Sequence, residues 1–124
     1  MSEDPRHHLG RVGERLALEH LLRLGYSLVA SNHRTRHGEL DLVVRDARTL
    51  VFVEVKTRRA TTDHLGPWEA LHPRKQRQVR AMGLAFLTEV TERPRTKELR
   101  FDAIGVIIDP RGRLLRLDHL EAAF

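Results

Sequence analysis

The chain has 124 residues, 40 % of them hydrophobic, and no cysteine. That length suits one domain over residues 1–124 with a modest core, and the lack of thiols excludes disulfides and thiolate-held metals. Lys and Arg outnumber Asp and Glu by 22 to 17, a net charge of +5 with a sequence pI near 10.6, which favours polyanionic partners.

No apolar run reaches the length of a membrane span, so no membrane association is expected. The opening Met1-Ser2-Glu3-Asp4-Pro5 lacks the pattern of a signal peptide, and the expected compartment is the cytoplasm. Lys56, Lys75 and Lys97 are the only lysines. The other cations are arginines, whose planar guanidinium suits phosphate contacts.

A first helix is expected from about Arg6 to Leu24. Leu9, Leu16, Ala17, Leu21 and Leu24 recur at helical spacing, and Gly25 supplies the stop. Glu14 lies at the edge of that stripe, with Arg11 its only cation at neighbouring helical spacing. Read alone, it is a solvated helix charge. Tyr26–Ala30 reads as a short strand and Ser31–His37 as a cationic loop carrying Arg34 and Arg36. His33 and His37 would form a metal pair only on a helix, which Gly38 and the flanking strands oppose.

From Gly38 to Arg58 the pattern is a hairpin: Gly38-Glu39-Leu40-Asp41-Leu42-Val43-Val44, a polar break, then Leu50-Val51-Phe52-Val53-Glu54-Val55-Lys56. Charges inside such runs cost free energy unless paired or bound to metal. A four-residue loop, Asp46–Thr49, pairs Arg45 with Leu50 and Val44 with Val51. Counting on, Asp41 faces Glu54 and Glu39 faces Lys56. All four polar groups then share one face, with Leu40, Leu42, Val53 and Val55 on the other. Facing carboxylates repel, and a hard divalent cation such as Mg²⁺ relieves them. Lys56, two residues beyond Glu54, points into the same site, where it can hold a phosphate. This is the chemistry of metal-assisted phosphodiester hydrolysis.

Arg59–Pro67 has the composition of a surface loop, and Trp68 reads as its anchor on the core. Pro73 suits the first position of a second helix, with Val79, Met82, Phe86 and Leu87 as its apolar stripe and an end before Pro94. Its first turns carry Arg74, Lys75, Arg77 and Arg80, a charge run that follows the carboxylate strand and so suits phosphate. Lys75 and Gln78 are placed nearest the site. Leu99–Ile108 reads as a central strand in which Asp102 partners Arg100 or a neighbouring strand. After the turn Asp109-Pro110-Arg111-Gly112, Arg113–Leu117 reads as an edge strand, and Asp118 caps a last helix, His119–Phe124. The whole is an α/β domain on a mixed five-stranded sheet flanked by helices.

Several pieces together carry a resemblance: Gly10, Gly13-Glu14, Gly25-Tyr26, Asn32-x-Arg34, Gly38-Glu39-Leu40-Asp41-Leu42, Val51-Phe52-Val53-Glu54-Val55-Lys56-x-Arg58, Lys75 and Arg100-Phe101-Asp102. They cover nearly the whole chain. The chain resembles the YraN family of endonuclease-like proteins and, more broadly, the PD-(D/E)xK nuclease superfamily with its restriction-endonuclease-like fold, which is similar to archaeal Holliday-junction resolvases. The resemblance implies that Asp41 and Glu54 bind Mg²⁺ or Mn²⁺, that Glu14 reaches the metal or its water shell, and that Lys56 positions or activates the attacking water. Glu39 matches the family motif without being a usual superfamily ligand, and so is an additional site residue. Leu40 stands where the superfamily has a Pro.

The expected function is a metal-dependent nuclease acting on DNA, with branched or flapped DNA as candidate substrates. Arg34, Arg36, Arg58, Arg74, Lys75 and Arg77 are the expected nucleic-acid contacts. DNA is favoured over RNA, and a homodimer is expected from the resolvase likeness. A binding protein on a nuclease fold is the alternative. A metal-free ion-pair cluster ranks last, since Lys56 alone cannot neutralise three carboxylates.

Overall fold

A computed structural model of the chain describes residues 5–60 and 73–124. A single five-stranded sheet organises them, in the order β1 (Ser27–Thr35), β2 (Gly38–Arg45), β3 (Thr49–Arg59), β4 (Glu98–Ile108) and β5 (Leu114–Leu120). The β3–β4 pair is parallel and the others are antiparallel, so the sheet is mixed as expected. Helix α1 (Pro5–Arg23) covers one face and α2 (Pro73–Glu89), the β3–β4 crossover, covers the other.

The two cores follow the strand alternation. Val51 and Val53 pack with Ile104, Val106, Ala17 and Leu21 under α1. Leu50 and Phe52 pack with Val79, Met82 and Phe86 under α2. β3 and β4 are apolar on both faces because both faces are covered. The α1 terminus is a Schellman cap: Gly25 takes a φ of 99°, its N–H donates to Leu22 O at 3.0 Å, and Tyr26 N–H donates to Leu21 O at 3.1 Å. Pro73 opens α2 as its sequence position suggests.

Among the described residues, no helix is long and apolar enough to cross a membrane. The expected loop at Arg59–Pro67 begins inside β3 at Arg59, and Ala60 N–H donates to Ile108 O at 2.9 Å; residues 61–67, with Trp68, lie outside the described residues.

Two sequence expectations are corrected. Ser31–Thr35 is strand rather than loop, because the ladder with β2 runs on to Thr35↔Gly38. β1 is an edge strand, so the exposed side chains of Ser31, Asn32 and Arg34 carry no burial penalty. The segment 119–124 is not a helix. β5 continues to Leu120, opposite Ala103. Ala122 has a φ of 53° and gives its N–H to Asp102, while Ala123 N–H donates to Phe101 O at 2.8 Å. Phe124 then closes the α2 core.

Candidate functional site

The β2–β3 hairpin has the expected register, Arg45↔Leu50 and Val44↔Val51. Asp46 sets the turn by accepting from Arg48 N–H at 2.8 Å and Thr49 N–H at 2.7 Å. The ladder ends at Leu42↔Val53, one step short of Asp41 and Glu54. β3 stays with β4 as far as Arg59↔Ile108, so β2 and β3 part at Asp41. The Asp41 carboxylate fills the fork by accepting from Val55 N–H at 2.8 Å.

The same position interrupts the other side of β2. The β1–β2 register passes from Ser31↔Leu42 to His33↔Leu40, skipping the Asn32–Asp41 step. Asn32 has a φ of 51°, a left-handed conformation that asparagine tolerates better than most residues. Strict alternation fails there. Leu42 lies in the α1 core, while Leu40, two residues away, lies in the α2 core with Val43. The expectation of one shared apolar face for Leu40, Leu42, Val53 and Val55 is corrected at Leu40.

Glu14 arrives from α1. Gly13 lets the helix approach β3 closely: a Cβ there would lie 1.6 Å from Thr57 Oγ1. The Asn32 amide then ties two carboxylates together, donating to Glu14 Oε1 at 2.6 Å and to Glu39 Oε1 at 3.0 Å. One oxygen each from Glu14, Glu39 and Asp41 lies within 4.8 Å of the others. These three line a cavity of about 410 Å³ together with Gly10, Arg11, Asn32 and Val55. Burial, followed by the Glu54 carboxylate, pushes Asp41 up to about 8. Burial, with Glu39 and Glu54 beside it, raises Glu14 above the usual carboxyl range against the pull of the Asn32 hydrogen bond.

The site therefore regroups the expected residues. Glu39 joins Glu14 and Asp41, whereas Glu54 forms an ion pair with Lys75 of α2 at 2.7 Å. Lys56 is exposed beside Gly105 of β4, and Arg58 follows it half-buried. Arg34 is exposed at the rim, 3.6 Å from Glu39. Arg36 sits at the β1–β2 turn, where Gln78 donates to His37 O at 2.9 Å. Arg74 and Arg77 are exposed on the first turns of α2. Sequence reasoning missed Asn32 as a site residue. The available signal was an asparagine directly before the histidine and arginine of a cationic run, which reads equally well as loop.

A second polar cluster lies under the other end of α1. Asp102, fully buried, accepts from Arg100 Nε and Nη2, both at 2.8 Å, from His119 Nε2–H at 2.8 Å and from Ala122 N–H at 3.0 Å. Arg100 also donates to Tyr26 Oη at 2.7 Å. With Nε2 of His119 committed to the carboxylate, its Nδ1 accepts from His20 Nε2–H at 3.0 Å. Burial, with His119 next, lowers His20 below the ordinary histidine value. Asp102 thus partners both Arg100 and a neighbouring strand.

The model of the uncharacterised protein family UPF0102 matches residues 13–106, which span Glu14, the carboxylate hairpin and Arg100-Phe101-Asp102. The chain belongs to the UPF0102 family. A UPF0102 protein of Nocardia farcinica is 44 % identical over 119 residues, covering 94 % of this chain and 88 % of its own length. One from Pelotomaculum thermopropionicum is 41 % identical over 122 residues, 98 % of each chain. One from Geobacter sulfurreducens is 44 % identical over 122 residues, covering 95 % of this chain and 91 % of its own. The YraN resemblance read from the motifs is membership of this family. UPF0102 is a family description without a stated reaction, so the chemistry must be argued from the site.

Proposed function

We propose that this UPF0102 protein is a divalent-metal-dependent phosphodiesterase acting on DNA, a PD-(D/E)xK-type nuclease on a restriction-endonuclease-like fold. The observation that carries the reading is the meeting of Glu14, Glu39 and Asp41 oxygens within 4.8 Å where β2 and β3 part. Burial and mutual repulsion raise Glu14 and Asp41, so a bound cation would be strongly favoured over leaving them charged and unpaired. The donor set is all carboxylate, which fits the hard cations Mg²⁺ and Mn²⁺.

When bound, such a cation supplies Lewis-acid polarisation of the phosphoryl oxygen. The protein's own part is positional. Val55 N–H fixes one Asp41 oxygen, leaving the other for the cavity. Asn32 holds Glu14 and Glu39 in register. Lys56, exposed two residues beyond Glu54, orients the attacking water or the scissile phosphate. Lys75 holds Glu54 in place through their ion pair.

Cleavage of labelled duplex, single-stranded, flap and four-way-junction DNA in Mn²⁺ tests the reading. Wild type is expected to cut at least one of these, and Asp41→Asn and Lys56→Ala are each expected to lose at least about a hundredfold in rate. Equal cutting by wild type and both variants would remove the mechanism.

The Glu54–Lys75 pair favours one alternative, since a carboxylate committed to a lysine is a poorer ligand. In that reading the fold binds nucleic acid without cutting it. Retention of a labelled junction by wild type, falling steeply with salt and without cleavage, would select it.

A further inference from the structure

Two cavities lie against helix α1. Gly10, Arg11 and Glu14 line the one that holds the three carboxylates. On another side of the same helix, His8, Leu9 and Arg15 line a cavity of about 320 Å³, where α1 meets the last residues of β3 and β4. Arg59, from the end of β3, and Arg111, from the β4–β5 turn, complete its cationic wall. Among the described residues the lining contains no carboxylate.

The wall is built by backbone features. Asp109 fixes the turn, its carboxylate accepting from Arg111 N–H at 2.8 Å and from Arg113 N–H at 2.9 Å. That carboxylate also holds the Arg113 guanidinium at 3.0 Å. Asp109 is thereby committed to its own turn and to Arg113. Arg59 Nη1 donates to Pro110 O at 3.4 Å, which leans its guanidinium against the turn. Three guanidiniums around one cavity repel one another, and an oxyanion that accepts from them relieves the repulsion. Guanidinium forks match phosphate oxygens two at a time.

Adjacency selects the phosphate's source. Glu14 and Arg15 are consecutive on α1, one turned to each cavity. A phosphodiester chain laid across this half of the helix meets the acidic centre and the cationic cavity together. We propose that the cavity formed by Arg15, Arg59 and Arg111 holds a backbone phosphate of the DNA substrate, flanking the phosphate addressed by the acidic site. This inference rests on the reading of that site as a phosphodiesterase centre.

Binding of fluorescent duplex and flap DNA, measured by anisotropy in EDTA across a NaCl series, tests it. Arg15→Ala/Arg111→Ala is compared with wild type and with Arg95→Ala, an exposed arginine just before β4 at the opposite end of the sheet. The double variant is expected to bind about tenfold more weakly, with the salt slope reduced by about 1. Arg95→Ala is expected to stay within about twofold of wild type. Arg15 and Arg111 are both exposed, so circular dichroism should be unchanged; Arg15→Gln alone is the milder variant and should show part of the loss.

A double variant that matches wild type in affinity and slope overturns the proposal, as does wild type that binds none of the DNAs. An NMR titration with inorganic phosphate separates the sources. Shifts at the three arginine Nε–H signals, with DNA binding untouched by the double variant, would make this a free-anion site and overturn the DNA assignment. Asp41→Asn, run alongside in Mn²⁺, keeps the two readings distinct. If it cuts like wild type while the double variant still binds weakly, the catalytic reading fails and the cavity stands. If it abolishes cutting while the double variant binds normally, only the cavity assignment fails.

Discussion

Asp102→Ala is expected to cost about 3–5 kcal/mol of folding stability, a fall of roughly 10–20 °C in melting temperature. Asp102 is fully buried and accepts four hydrogen bonds, two of them from one guanidinium. Removing it leaves Arg100 as a half-buried cation whose charged state that carboxylate had stabilised, and strips His119 and the Ala122 N–H of their acceptor. Burial alone would raise the Asp102 carboxyl, but the bonds from His119, Arg100 and Ala122 outweigh it and hold the group below its ordinary range. Its stabilisation is therefore complete above the ordinary carboxyl range and is lost as pH falls through the depressed value. Wild type and Asp102→Ala should converge in acid. Asp118→Ala is the control, since it breaks an outer-surface pair with Arg116 at 2.8 Å and should cost less than about 1 kcal/mol. Equal denaturant midpoints for Asp102→Ala and wild type near neutral pH would remove the hub role.

Asp41→Asn is expected to act in the opposite direction on the metal-free protein. The Asp41 carboxyl is raised from 3.8 to about 8, so the folded state binds its proton more tightly than the unfolded chain does. Its contribution to stability is present below the ordinary carboxyl value and is lost as pH rises through about 8. In EDTA at alkaline pH, the asparagine variant should melt higher than wild type by about 2 kcal/mol, roughly 8 °C. In Mn²⁺ at a hundred times the wild-type dissociation constant the gap should narrow by at least about 1.3 kcal/mol, because ligand linkage adds about 2.7 kcal/mol to wild type and at most about 1.4 kcal/mol to a variant that binds tenfold more weakly. Parallel melting curves over the whole pH range, with and without metal, would mean that the raised carboxyl has no energetic consequence.

The sheet was legible because its strands are strongly periodic and its turns carry the expected chemistry. The four-residue hairpin register followed from counting charges against faces, and Arg45↔Leu50 is that register. What counting could not supply was the fork. Alternation assumes a continuous ladder, and the ladder stops where Asp41 caps Val55 N–H and Asn32 turns left-handed. That break sends Leu40 into the α2 core and draws Glu39 to Glu14. The chain end was misread for a different reason. Asp118 before His119 looks like a helix cap, but pairing with β4 and the demand of Asp102 for a histidine donor outweigh local propensity. Lys75 was placed near the site from a charge run, and the structure pairs it with Glu54.

Calorimetric titration of wild type and Asp41→Asn with Mn²⁺ in two buffers of different ionisation heat decides whether the acidic cluster is a metal site. Wild type is expected to bind near pH 7 with release of a proton, since a carboxyl raised to about 8 must ionise to take the metal. Affinity should climb with pH, and Asp41→Asn should bind at least about tenfold more weakly. The contradicting result is wild type that takes up no Mn²⁺, or takes it up as well as Asp41→Asn with the same heat in both buffers.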